Sequence, residues 1–174
     1  MSTNYYACTF SIDPALAGDD AAIRAQGALY VEEGRGLQTD SRGDWFLWTL
    51  GRMAADLHPA ALRFLDAKNG VEFLDARRTP WRVSTIAPAD VPAAAAAFAA
   101  LVAQAEDDPE SLLPYFNGDW DLDELREAIA DPQEYDDDDG MGPDYFFLNL
   151  EGYRTMFERV AAEGGGIAHL CCLP

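Results

Sequence analysis

The pattern of apolar residues predicts a strand at each end of the chain. Residues 5–12 are rich in aromatic and β-branched side chains and stop at Asp13-Pro14, which is typical of a strand ending in a turn. Residues 167–173 have a similar character and follow three consecutive glycines. We expect these two strands to be neighbours, which would bring Cys8 close to Cys171 or Cys172.

Between the two ends, helical spacing of apolar residues is most regular in residues 44–57. Apolar side chains recur there at steps of four, three and four, so they share one helical face that we expect to lie in the core. The face comprises Phe46, Leu50, Met53 and Leu57, widened by Trp45 and Trp48.

Capping residues and proline positions predict further helices. Pro59 is tolerated in a first helical turn, and Asp90 or Asp121 can accept hydrogen bonds from free amides at a helix start. Helices are therefore predicted at about 20–26, 59–65 and 91–105, and at 122–129 after a cap at Asp121 or Asp123. Strands are predicted at 71–74 and 81–86.

The last third of the chain is predicted to contain a strand followed by a helix. Residues 145–148 form a short apolar run, and Asn149 is a candidate cap for a helix that reaches about residue 162. Gly164, Gly165 and Gly166 would end that helix.

Together these elements predict an α+β fold, in which a mixed or antiparallel sheet that includes the N- and C-terminal strands packs against several helices. A length of 174 residues and 49% hydrophobic residues are typical of one globular domain, here residues 1–174.

Negative charge is concentrated in one window of the chain, residues 106–144. The window holds sixteen Asp or Glu and a single basic residue, Arg126, whereas the rest of the chain has a net charge of only −4 out of −19. Four consecutive carboxylates, Asp136, Asp137, Asp138 and Asp139, repel one another and predict a mobile acidic loop near residues 131–144.

This charge distribution restricts the class of partner. Phosphates and anionic membrane surfaces would be repelled, so we expect neither nucleic acid nor a membrane as partner. No segment is long and apolar enough to span a bilayer, and the amino terminus lacks the features of a signal peptide. The three cysteines suit neither a disulfide framework nor a zinc site. We therefore expect a cytoplasmic protein with reduced thiols.

Three stretches resemble the YfbM-like family of small bacterial α+β proteins of unknown function. They are the Trp-containing helix at 44–51, the segment 82–91 that enters an alanine-rich helix, and the closing helix, glycines and strand at 149–173. The sequence departs from the family pattern at Thr49, where a His is expected, and in the acidic loop, which replaces a Tyr-Pro pair. The resemblance implies a fold and no established activity.

No common catalytic or cofactor motif is present. None of the five serines lies in the Gly-x-Ser-x-Gly turn, and Gly34-Arg35-Gly36 lacks the third glycine of a dinucleotide loop. Neither acidic stretch matches the oxygen spacing of a calcium-binding EF-hand, although Asp136–Asp139 could hold divalent cations loosely. The sequence predicts no cofactor, no catalytic residue and no metal site.

The sharpest metal hypothesis involves the terminal strands. His169 and Cys171 are two residues apart and would share one face of a strand, where Cys8 from a paired strand could add a third soft ligand. This hypothesis competes with simple packing, since small thiols are commonly buried. The alternative function is therefore an enzyme. It would be a hydrolase or a metal-dependent enzyme that uses His169 and Cys171 or the acidic strip.

The favoured hypothesis is a non-enzymatic binding protein whose acidic face, residues 106–144, binds a basic protein, in the manner of a neutralising or immunity partner. A third hypothesis is that the acidic residues serve solubility alone. The expected binding residues are Asp121, Asp123, Glu124, Asp136, Asp137, Asp138 and Asp139.

Overall fold

A five-stranded antiparallel sheet forms the centre of the fold. The computed structural model describes residues 7–16, 18–33, 35–39, 41–65, 71–74, 80–116, 120–132 and 142–172. The strand order is β2-β1-β5-β4-β3, and every neighbouring pair is antiparallel. The strands are β1 (Ala7–Ile12), β2 (Leu37–Thr39), β3 (Val71–Leu74), β4 (Pro80–Ile86) and β5 (Gly166–Cys172).

Helices cover both faces of this sheet. On one face, Ile23 of the first helix packs with Phe10 and Leu170, while the remaining helices contribute to a larger core on the other face. The helices are α1 (Asp20–Glu33), α2 (Ser41–Leu57), α3 (Pro59–Leu62), α4 (Val91–Asp107), α5 (Leu122–Ala130) and α6 (Pro143–Glu163), with 3-10 segments at Pro14–Leu16, Arg63–Leu65 and Pro109–Tyr115.

The α+β class and the pairing of the two terminal strands are confirmed. β1 and β5 lie side by side, with Cys8 opposite Leu170 and Thr9 opposite His169. Since residues directly opposite each other in an antiparallel pair point to the same face, Thr9 and His169 share one face and Cys8 lies on the other. Within the described part of the chain, none of the helices combines the length and apolar character needed to cross a membrane.

The apolar stripe of α2 lies in the core as predicted. Phe46, Leu50 and Met53 are at most 1% exposed. The exception is Trp48, which is half exposed and therefore does not widen this face as expected. Instead, the guanidinium of Arg52 lies 4.7 Å from the centre of the Trp48 ring, a cation–π contact that shields part of the indole.

The predicted strand at 145–148 is wrong, because these residues lie inside α6. That helix begins at Pro143, whose fixed backbone angle suits a first helical turn, and Gly142 precedes it. Phe146 and Leu150 are buried one turn apart, so the short apolar run continues the helical face downstream and is not a separate strand. Asn149 is consequently an interior helical residue. The predicted end of this helix is confirmed at Gly164, which has a φ of 70° and donates to the last carbonyls.

The predicted caps have different outcomes. Asp121 caps α5 in a capping box with Glu124, whereas the carboxylate of Asp90 accepts no hydrogen bond at the start of α4. The backbone of Asp90 is already helical, with φ −99° and ψ −15°, and not extended as that geometry usually requires. Asp90 thus occupies the predicted N-cap position of α4, which begins at Val91, but the expected side-chain hydrogen bond is absent.

Candidate functional site

Apart from Asp144, in the first turn of α6, the described acidic residues of the window lie on or directly beside three elements that pack against one another. These are the last turn of α4, the 3-10 segment Pro109–Tyr115 and α5. Eight of these acidic residues are exposed and lie between residues 106 and 127: Glu106, Asp107, Asp108, Glu110, Asp121, Asp123, Glu124 and Glu127.

Among the expected binding residues, Asp121 and Glu124 serve the start of α5. Asp121 Oδ1 accepts hydrogen bonds from the backbone N–H groups of Asp123 and Glu124, both at 2.9 Å, and Glu124 Oε2 accepts from the N–H of Asp121 at 2.8 Å. These bonds fix both carboxylates at the positive end of the helix dipole without removing them from solvent. The four aspartates Asp136–Asp139 lie outside the described residues.

Among the described residues, few of these charges are neutralised by an ion pair. Arg126 pairs with Asp123 at 3.3 Å, but both side chains are exposed, so the pair is weak and screened by salt. Glu106, Asp107 and Glu127 make no ion pair with any described residue. The surface formed by these elements therefore keeps a negative potential.

A groove of about 400 Å³ lies beside this surface, between α4 and α6 at the end of α5. Its floor is apolar and includes Val102 from α4, Ile129 from α5 and Phe147 from α6. Charged side chains form its rim: Glu106, Glu151, Arg154 and Glu158.

Arg154 is held firmly at this rim by two carboxylates on its own helix. Its Nε donates to Glu151 at 2.7 Å and its Nη1 donates to Glu158 at 2.6 Å. The hydrogen bonds that Arg154 donates to Glu151 and Glu158 raise the pKa of Arg154, and its contact with Glu151 lowers the pKa of that carboxylate. Since the rim holds three acidic residues and one arginine, it remains net negative.

A buried polar cluster lies between α6 and the sheet. Thr9 Oγ1 is 2.7 Å from the Tyr153 hydroxyl and 2.9 Å from His169 Nδ1, and all three residues are at most 3% exposed. Burial lowers the pKa of His169 from its usual 6.5 to about 4, and burial raises the pKa of Tyr153. Both side chains are therefore neutral near pH 7, and the cluster joins α6 to the sheet.

The arrangement does not support the metal site proposed from Cys8, His169 and Cys171. Cys8 points to the opposite face of the sheet, where its thiol donates to the carbonyl of Arg35 at 3.4 Å. Burial there raises the pKa of the Cys8 thiol to about 11, which disfavours the thiolate that a metal would need. Among the described residues there is no group of three His, Cys, Asp or Glu side chains that could hold a metal ion.

His169 and Cys171 are also poorly placed for catalysis. Each is only 3% exposed, and the ring of Phe64 stands edge-on against His169. A second groove, of about 490 Å³, is lined by Phe64 and by Ser84, which lies opposite His169 on β4, but not by His169 itself. His169 thus contacts Phe64, which lines this groove, but does not line the groove itself.

Two features of the surface were not predicted from the sequence. Glu151, Arg154 and Glu158 have the i, i+3 and i, i+4 spacing of helical ion pairs, so their pairing was readable once α6 was recognised. No spacing in the sequence predicts the groove, because its shape depends on how α4, α5 and α6 pack against one another.

Comparisons of this chain with protein-family models, with curated proteins and with solved structures gave no match. A function can consequently be proposed only from the geometry of the chain's own residues.

Proposed function

We propose that the protein is a non-enzymatic cytosolic binding protein whose acidic face, residues 106–144, binds a basic surface of a partner protein, in the manner of a neutralising or immunity partner. The supporting observation is that acidic residues on α4, the following 3-10 segment and α5 sit on adjoining elements, with Arg126 as their sole ion-pair partner among the described residues.

Charge complementarity at such a face would speed association and favour basic partners over acidic ones. Because the carboxylates are exposed, their attraction would weaken as salt shortens the Debye length from about 10 Å at 0.1 M. The interaction is therefore expected to depend on ionic strength.

The test is affinity capture from a cell extract at about 0.05 M and about 0.5 M salt. The face variant carries Asp107→Lys and Glu127→Lys, which reverse two exposed charges and leave the capping box of α5 intact. The control variant carries Glu32→Lys and Glu163→Lys, which make the same change in net charge at the exposed ends of α1 and α6.

The expected result is a basic protein that the wild type and the control variant retain at low salt, and that the face variant or high salt releases. A partner retained equally by the face variant and at high salt would contradict the proposal. Retention of no protein, with unchanged solubility of the face variant, would also count against it. Loss of solubility in that variant alone would favour the solubility hypothesis.

A further inference from the structure

The groove between α4 and α6 combines an apolar floor with an acidic rim on the same side as the acidic elements. We propose that it receives the apolar side chains of an amphipathic, basic helical segment of the partner, whose Lys or Arg side chains lie against the rim. This inference rests on the proposed function and specifies the kind of segment that would be bound.

The rim determines the charge of the occupant. Arg154 already contacts both Glu151 and Glu158, so it has little capacity left to attract a carboxylate. Glu106 makes no ion pair with a described residue and is free to meet a cation. Asp107 follows directly in sequence and adds a further exposed negative charge. An incoming basic segment would thus gain attraction from each side of the groove.

The same charges disfavour two other occupants. A second copy of this chain carries a net charge of −19 and would be repelled at close range. The chain's own residues 133–141 contain five acidic residues and no basic one, so they are poor ligands for a negative rim. A basic segment from another protein is the occupant that the charge favours.

The floor determines what anchors the segment. Val102 and Ile129 are partly exposed, and Phe147, which also lines the groove, is 6% exposed. Aliphatic side chains placed here would exclude water from these groups, and residues in the desolvated centre of an interface usually contribute most of its binding energy. A helix presents such side chains at steps of three and four residues, which suits a groove between two helices.

The test uses a defined peptide of about 14 residues with Leu at helical spacing and Lys at the flanking positions. Binding is measured by titration calorimetry and by amide shifts of the labelled protein. Ala103→Phe fills the groove without changing charge, because Ala103 is exposed and lines it. Ala100→Phe is the matched control on the same helix, since Ala100 is exposed and lies outside the groove lining.

We expect the peptide to shift amides of α4 and α6, and Ala103→Phe to weaken its binding by about tenfold or more while Ala100→Phe leaves it within about twofold. A peptide with Glu in place of Lys should not bind. Equal affinity of the two alanine variants, or no binding of the Lys peptide, would overturn the inference. In either case the acidic face could still pass its own capture test, so the two proposals fail separately.

Two further outcomes would identify a different occupant and also overturn the inference. A wild-type dimer that Ala103→Phe dissociates would assign the groove to a second copy of the chain. Peptide binding that appears only after residues 134–140 are replaced by a Gly–Ser linker would assign it to the chain's own acidic segment.

Discussion

The hydroxyl of Thr9, on β1, lies 2.9 Å from Nδ1 of His169, on β5, although 160 residues separate them in sequence. The same hydroxyl is 2.7 Å from the Tyr153 hydroxyl on α6. Buried polar groups are costly unless paired, so this arrangement makes Thr9 the link that satisfies two neighbours at once.

The burial of His169 predicts a loss of stability in mild acid. Its pKa is lowered from 6.5 to about 4 in the folded protein, so the unfolded chain binds more protons between these values. The stabilisation is therefore fully present above about pH 6.5 and is lost as pH falls towards 4, by about 3 kcal/mol in total. Urea unfolding across this pH range measures the effect.

The control is the same titration in His169→Gln, which should remove this part of the pH dependence. The experiment is cleanest in a His58→Gln background, because His58 and His169 are the only histidines of the chain. Identical slopes with and without His169 would contradict the assignment.

Replacing Thr9 by Val should destabilise the protein. Valine keeps a similar shape but leaves the Tyr153 hydroxyl and His169 Nδ1 without their shared partner. The expected decrease in the free energy of unfolding is about 2 to 4 kcal/mol, measured by urea denaturation.

Thr49→Val is the matched control with the opposite sign. The Thr49 hydroxyl is also buried, but it has no hydrogen-bond partner among the described residues. Removing it should therefore stabilise the protein by about 1 kcal/mol, since no bond is lost. Equal destabilisation by both substitutions would show that Thr9 contributes through packing and not through its hydrogen bonds.

The aspartates at the starts of α4 and α5 predict different costs of truncation. Asp121→Ala removes the carboxylate that accepts from two backbone amides and should cost about 1 kcal/mol. Asp90→Ala removes a carboxylate that makes no such bond, so it should lower the free energy of unfolding by only about 0.3 kcal/mol. Thermal unfolding of the two variants provides the comparison, and similar losses would contradict the capping geometry.

Long periodic elements were predictable from the sequence, whereas register and packing were not. Phe46 and Leu50 identified α2 because their spacing continues over several turns. The run at 145–148 was too short to distinguish strand from helix, and β2, of three residues, was not predicted.

The candidate sites depended on details that spacing does not encode. A shift of one residue between β1 and β5 decides whether Cys8 or Thr9 lies opposite His169. With Cys8 opposite, the pair could be part of a metal-ligand set, whereas with Thr9 opposite it forms a structural hydrogen bond. A cap at Asp121 or Asp123 could be predicted, because a helix cap and the amides that it binds are close in sequence.

Two glycines predict opposite effects of an added methyl group. Gly36 has a φ of 79°, and a Cβ there would lie 2.8 Å from the carbonyl oxygen of Thr9, so Gly36→Ala should cost about 1 to 3 kcal/mol. Gly51 lies inside α2, where no described atom outside the helix backbone would come within 4 Å of an added Cβ. Gly51→Ala should therefore stabilise the protein by about 0.5 to 1 kcal/mol, because alanine loses less backbone entropy on forming a helix. Urea unfolding of both variants checks the prediction. A Gly36→Ala protein as stable as the wild type would contradict the close approach of Gly36 to the Thr9 carbonyl.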